Sequence, residues 1–342
     1  MNPPAIVSWL LWPLSLIYGA WMALRAWAYR RRIFKSKGVE GIVVSIGNLT
    51  TGGTGKTPTA LWLALRAAEA GQRAAILLRG YGARGEAGAD GRPRSDEAAL
   101  LRDRLGGRAQ LGIGADRIAS AQALGRHGVT WFVLDDGFQH LKLQRDVDIV
   151  LLDATRPFGN GRLLPAGSLR ERRSALGRAD IILITRSEHA PALETAVRRF
   201  TQAPVFYAHA RFDGLYRAPQ RAISLPKADW ARGRFFAFAG IGNPAAFFDD
   251  LGRWGVPLAG KRGFRDHHRF TLADLAQLER AAAENSADAL VCTEKDVYNL
   301  GDISSLRLPI YAACISIAIG DEERFWETIC RVVIESTSEA PR

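Results

Sequence analysis

The chain opens on an apolar stretch: from Ala5 to Leu24 there are twenty residues without a formal charge. As a helix rising about 1.5 Å per residue they reach about 30 Å, the hydrocarbon thickness of a bilayer. Trp9, Trp12, Tyr18, Trp21, Trp27 and Tyr29 concentrate the aromatics that settle at a membrane interface, and Arg25, Arg30, Arg31, Arg32, Lys35 and Lys37 supply a basic cluster at its C-terminal side. A cleaved leader fits poorly, because no positive charge precedes the run and the run is longer than a usual h-region. Pro13 and the aromatics leave open whether such a helix spans the bilayer or lies in its interface, held by apolar insertion and basic side chains on anionic lipid. Either way, residues 1–37 are predicted to form a membrane anchor.

Past the anchor the pattern changes to short, continuously apolar, β-branched runs near 42–48, 74–79, 130–136, 147–153 and 179–185, with helical patterns interleaved. Runs without alternation are the mark of strands covered on both faces, so the pattern predicts a doubly wound parallel sheet over 38–202. Residues 203–226 alternate apolar and polar around Asp213-Gly214 and predict a two-stranded linker. The runs RFFAFAG, ADALVCT and LPIYAAC, again separated by helical stretches, predict a smaller C-terminal α/β domain over 227–342. The expected fold class is therefore α/β: a P-loop-type doubly wound domain, a smaller C-terminal α/β domain and an N-terminal membrane-associated helix.

Composition agrees with two folded domains: 342 residues, 47% of them hydrophobic and 24% charged. The net charge of +11 would suggest nucleic acid, but six of those charges sit in the basic cluster behind the anchor. The remaining 11 − 6 = +5 is spread thinly, and no nucleic-acid-binding signature accompanies it. No nucleic-acid partner is expected. Cys292, Cys314 and Cys330 are odd in number and far apart, which argues against a disulfide framework or a zinc cluster.

The first candidate chemistry lies where strand 42–48 gives way to LTTGGTGKTP and then to a helical pattern over Thr59 to Ala70, with Leu61, Leu65 and Ala68 expected on one face. A glycine loop between a strand and a helix lets successive backbone N–H groups face phosphate oxygens, a lysine neutralises the β and γ phosphates, and a hydroxyl binds magnesium. Thr50, Thr51, Gly52, Gly53, Thr54, Gly55, Lys56 and Thr57 supply these parts, with Thr50 standing where the motif usually begins with glycine. Further on, TWFVLDDGFQH sets Asp135 and Asp136 at the end of an apolar run. There a carboxylate can hold Mg2+ or its water, although an Asp-Gly turn is the plainer reading.

Other positions are less decided. Asp96 and Glu97 in RSDEAALL read first as helix capping, and His267 and His268 in FRDHHRFT give only a weak acid–base hint. Pro165, Gly167, Arg170, Glu171, Arg172 and Arg173 make a polar turn that suits an anionic substrate or is simply a solvated face.

Taken in order, GNLTTGGTGKTP, LLRGYGARG, SDEAALL, GADRIAS, LDDGFQH, LLPAGSLRE, FAGIGNP, FRDHHRFT and LVCTEKD resemble the tetraacyldisaccharide 4′-kinase family, over a stretch that reaches Asp296. The resemblance implies a lipid A kinase of Gram-negative bacteria, placed on the cytoplasmic face of the inner membrane. It implies transfer of the γ-phosphate of ATP, with Mg2+, to the 4′-hydroxyl of tetraacyldisaccharide 1-phosphate. It also implies that Asp96 accepts the sugar hydroxyl proton while His267 orients it. Asp135, Asp136 and Glu171 lie near the metal, and Arg117 and Arg170 meet substrate or phosphate charge. Ser168 and Arg172 stand where the family often has proline, so the Glu171 loop is expected to differ in shape. IGNP and TEKD receive no role. The rival expectation is a membrane-bound P-loop ATPase that acts on a protein partner.

Overall fold

The computed structural model describes residues 10–80, 95–221, 224–304 and 306–339. The first nine residues of the expected anchor, Trp9 among them, lie outside the described residues, as do the stretch that follows Gly80 in LLRGYGARG and part of the 203–226 linker.

The elements are helices and mostly parallel strands in alternation, a mixed α/β architecture. The chain forms two compact units. The first gathers the described residues of Met1–Tyr81, Arg104–Ala210 and Ile317–Arg342, and the second those of Gly82–Asp103 and Arg211–Ser316. The chain contributes to the second unit over the described part of 82–103 and again over 211–316, the later crossings falling within the strands Val205–Arg217 and Ile310–Ile319, so neither unit is a single contiguous segment.

In the first unit the parallel strands are β1 (Ile42–Asn48), β2 (Ala74–Leu78), β3 (Gln110–Ile113), β4 (Trp131–Asp135), β5 (Val147–Asp153), β6 (Ile181–Thr185) and the first residues of β7 (Val205–Arg217), ordered β3-β2-β4-β1-β5-β6-β7. β1, the strand before the glycine loop, is central, and its register sets Ile46 opposite Asp135 of β4. The glycine loop and the acidic pair therefore leave the sheet at one edge, where ligands of open α/β sheets collect. Both faces are packed: Phe132, Leu134, Val150 and Ile182 lie in apolar clusters on one face, and Ile46, Val133, Ile76, Ile149 and Leu183 are fully buried on the other. That is why these runs are apolar at every position.

α1 (Trp12–Arg30) has Pro in its first turn and exposes Trp12, Leu14, Leu16, Ile17, Trp21 and Leu24. Its contact side is small and polar: Ser15 Oγ donates to Leu163 O at 3.0 Å and accepts from Ala166 N at 3.0 Å, and Arg25 Nη1 donates to Gln139 O at 3.0 Å. Among the described residues no helix is long and apolar enough to cross a membrane.

α2 (Lys56–Glu69) follows the glycine loop, and its fully covered stripe is Ala60, Leu63, Ala64 and Ala67, not the Leu61, Leu65 and Ala68 face expected from periodicity. Of the expected face Leu61 is buried, whereas Leu65 and Ala68 are only half-buried. The expected phase fails because α2 is covered from two sides. The outer cover is the last helix, α10 (Glu322–Glu339), where Phe325 sits 5.4 Å from Trp62 and 5.0 Å from Phe206, and Glu322 accepts from Trp62 Nε1 at 2.8 Å. Between these helices in chain order come α3 (Asp96–Leu105), α4 (Arg117–Arg126), α5 (Pro191–Arg198), α6 (Lys227–Trp230), α7 (Pro244–Arg253), α8 (Leu272–Glu284) and α9 (Glu294–Val297).

The second unit has parallel strands β9 (Phe235–Ala239), β10 (Leu258–Gly263), β11 (Ala289–Thr293) and β12 (Ile310–Ile319), ordered β10-β9-β11-β12. The hairpin expected at Asp213-Gly214 is not there. β7 runs straight through both residues, with Gly214 at φ +118°, and the reversal comes later, where Leu215 and Tyr216 pair antiparallel with Leu225 and Ser224 of β8 (Ser224–Leu225). Leu215 and Phe212, packed in the apolar cluster with Trp230, Phe235 and Phe247, hold the strand extended past a dipeptide that would otherwise turn.

Candidate active site

The glycine loop begins at Asn48 and is fixed on three sides. Asn48 Nδ2 donates to Thr54 Oγ1 at 3.0 Å, Thr185 Oγ1 at the end of β6 donates to Thr54 O at 3.1 Å, and Gln139 Nε2 donates to Asn48 O at 3.0 Å. Thr50 is buried and bridges Leu169, while Thr51 N donates to Ser168 O at 2.8 Å. Gly55 caps α2 at φ +86°, a left-handed conformation that disfavours other residues, and it turns the chain so that Lys56 starts the helix.

Lys56 Nζ lies 3.6 Å from Asp136 Oδ1, and Arg170 Nη1 donates to both oxygens of Asp136 at 2.7 and 2.8 Å. Burial lowers the Lys56 ammonium below its ordinary value and outweighs the support of Asp136. Burial acts on Asp136 in the opposite sense, but the charges of Lys56 and Arg170 prevail and hold its carboxyl below the usual range. Asp136 is therefore the anion that holds Lys56 and Arg170 together at the mouth of the loop.

Next to it, Thr57 Oγ1 donates to Asp135 Oδ2 at 3.3 Å. A hydroxyl and a carboxylate side by side after a glycine loop fit Mg2+, which takes one or two protein oxygens and completes its shell with water and phosphate oxygens. Among the described residues no cluster of three or more His, Cys, Asp or Glu could hold a metal as a cage. Glu171, also expected near the metal, is buried in a two-pronged pair with Arg178 at 2.8 and 3.0 Å and accepts from Gln139 Nε2 at 3.1 Å. Arg117 opens α4 behind its Asp116 cap and is buried, with its charge felt at His140.

Two contributors escaped the sequence reading although they lie inside the quoted DDGFQH motif. Gln139 links the loop, Glu171 and α1. His140 is driven down to about 4 by burial and by the charges of Arg117, Arg145, Arg25 and Lys142, so it stays neutral among cations.

The second unit holds the other expected pair. Ser95 is the cap of α3, accepting from Ala98 N at 3.5 Å, and this frees Asp96 from the capping role that its position suggests. Asp96, with a side chain 8% exposed, meets His267, 60% exposed, at 2.9 Å between Oδ2 and Nδ1. His267 sits at φ +56° on the turn before α8. His268 instead meets Asp274 at 3.1 Å, inside the capping box of α8.

These features define an α/β protein with a glycine loop, a lysine and an acidic pair at one sheet edge, and with a carboxylate–imidazole pair in a second unit. Residues 7–334 match the family model described as LpxK, tetraacyldisaccharide-1-P 4′-kinase. The tetraacyldisaccharide 4′-kinase of Geobacter metallireducens is 37% identical over 96% of this chain and 99% of its own length, and that of Anaeromyxobacter dehalogenans is 43% identical over 81% and 77%. The crystal structure of LpxK from Aquifex aeolicus in complex with ATP is 26% identical, with a TM-score of 0.76 over 96% of this chain and 99% of that one. The chain belongs to the tetraacyldisaccharide 4′-kinase family.

Proposed function

We propose that this chain phosphorylates a lipid A precursor at a membrane surface, with its glycine loop holding ATP and Asp96 taking the acceptor's proton. As a member of its family it is an ATP-dependent kinase that transfers the γ-phosphate to the 4′-hydroxyl of tetraacyldisaccharide 1-phosphate. The observation that supports the proposed chemistry best is the grouping of Lys56, Asp136, Thr57 and Asp135 at the edge where β1 and β4 end.

In this reading the first unit, built on β1 to β6 and closed by α10, is a P-loop-type doubly wound domain, the second unit is the smaller α/β domain, and the loop amides of Thr50 to Thr57 cradle phosphate. Lys56 stabilises charge on the transferring phosphoryl group, which is where fixed cations lower such barriers. Thr57 and Asp135 would hold Mg2+, with Asp136 and Glu171 shaping the surrounding charge, and the ion would neutralise β and γ phosphate oxygens. Asp96 accepts the 4′-hydroxyl proton as the oxygen attacks phosphorus, and His267 orients Asp96. Arg117 and Arg170 meet the anionic sugar phosphate. The exposed aromatic and aliphatic side chains of α1 and the basic residues after it lie in the cytoplasmic interface of the inner membrane, close to a substrate that stays in the bilayer.

The test is transfer of labelled γ-phosphate from Mg-ATP to tetraacyldisaccharide 1-phosphate in detergent micelles. Lys56→Ala is expected to lower kcat/KM by about a hundredfold or more. Asp96→Ala should lower turnover and leave ATP affinity near that of the parent. ATP hydrolysis without labelled lipid would overturn the reading in favour of an ATPase acting on a partner.

A further inference from the structure

IGNP and TEKD converge, within the second unit, on the carboxylate of Asp96. Asp296 of TEKD is completely buried. Its Oδ1 accepts from Gly240 N, the residue that opens the IGNP turn, at 2.9 Å. Its Oδ2 accepts from Thr293 N at 3.2 Å and from Thr293 Oγ1 at 2.6 Å.

Two arms lead from Asp296, one through its carboxylate and one through its backbone carbonyl. Along the first, Gly240 O accepts from His267 N at 2.9 Å, which fixes the backbone that carries the imidazole. Along the second, Asn299 N donates to Asp296 O at 2.9 Å, and Asn299 Nδ2 donates to Asp96 Oδ2 at 3.1 Å. His267 and Asn299 thus end on the same oxygen of Asp96, while Oδ1 accepts from Glu97 N at 2.8 Å. Gly240 is closely packed: a Cβ there would lie 3.0 Å from His268 Cβ, 3.1 Å from Asp296 Oδ1 and 3.3 Å from Arg265 O, so a side chain would push on the carboxylate.

We propose that Asp296 is the anchor of a positioning device in which Asn299 holds Oδ2 of Asp96, together with His267, so that Oδ1 is presented to the acceptor hydroxyl. The proposal deepens the reading of Asp96 as proton acceptor and rests on it. A neutral amide suits this task, because it fixes a carboxylate without a counter-charge that would pull it from its work. Asn299 is a positioning residue: it acts on Asp96 and on no reacting atom.

The experiment is the lipid phosphorylation assay on the full chain, with kcat and KM measured for the parent, Asn299→Leu, Asp96→Asn and the double variant. Asn299 is half-buried, so Asn299→Leu is compatible with folding, whereas Asp296→Asn tests the anchor at greater risk to the fold. Asn299→Leu is expected to lower kcat about tenfold, the worth of one hydrogen bond to a charged group. KM for ATP should hold, so that the loss falls on kcat alone. In the Asp96→Asn background the same substitution should change kcat little. A raised KM for ATP with kcat unchanged, or an equal loss of kcat in both backgrounds, overturns the positioning role and leaves the proton-acceptor reading standing. Parent-like activity in Asp96→Asn alone overturns that reading, and the positioning device with it.

Discussion

Lys56, Asp136 and Arg170 form a charge triad in which one carboxylate serves two cations. Asp136→Asn would leave both cations without their shared anion in a partly buried place, and its effect should reach beyond the loss of a surface ion pair. ATP affinity measured by calorimetry should fall at least as far as in Thr57→Ala. Away from the site, Asp180 accepts from Asp148 N at 2.7 Å and is raised to about 6, first by burial and then by the charge of Asp148. A raised carboxyl favours the protonated fold, so its contribution is full below the ordinary value of about 3.9 and is lost as pH rises through about 6. Asp180→Asn, which keeps an acceptor and has no charge, should raise the unfolding free energy at pH 8 by on the order of 1 kcal/mol, read in denaturant melts. That margin should shrink toward pH 5, and a margin that does not change with pH would assign the titration elsewhere. Lys56, Thr57 and the acidic pair were legible in the sequence because loop, strand end and charge sit in one short motif each. Asn299 was not, because it meets Asp96 across 203 residues of chain, and Asn is common at helix ends for other reasons.

At the scale of elements, continuous apolar runs gave the positions of β1, β2, β4, β5 and β6 to within about two residues, the usual precision at element ends. β3 was missed, since QLGI offers four residues with a glycine among them and too little pattern to separate from a loop. The phase of α2 was misread because its Trp62 side is covered by α10, a cover no local periodicity can announce. α1 is the element whose exposed face most calls for a partner. Ile17→Ser with Trp21→Ser touches residues that are 67% and 59% exposed, so the melting temperature should hardly change. Binding to vesicles containing anionic lipid should weaken by tenfold or more, at roughly 1.5–3 kcal/mol for each large apolar side chain withdrawn from lipid. Unchanged vesicle binding would move the membrane contact to the basic cluster alone.

For the whole molecule, the notable feature is that the first unit is assembled from three separated stretches of chain, the last of them ending in α10. Phe325 lies among Trp62 and Phe206, and Trp326 packs on Trp131, so a chain stopped after Gly320 leaves three large aromatics of the first unit uncovered. Such a truncation should bind a hydrophobic dye and lose cooperative melting of the first unit. The contiguous boundaries suggested by composition could not reveal this return, because nothing in the pattern of α10 says which sheet it will cover. Seen from the ribosome, the order of manufacture inverts the order of completion. The phosphate loop emerges early, and the second unit has all its parts once Ser316 is out. The helix that seals the loop's own helix comes afterwards, so the unit begun first is the one that must wait.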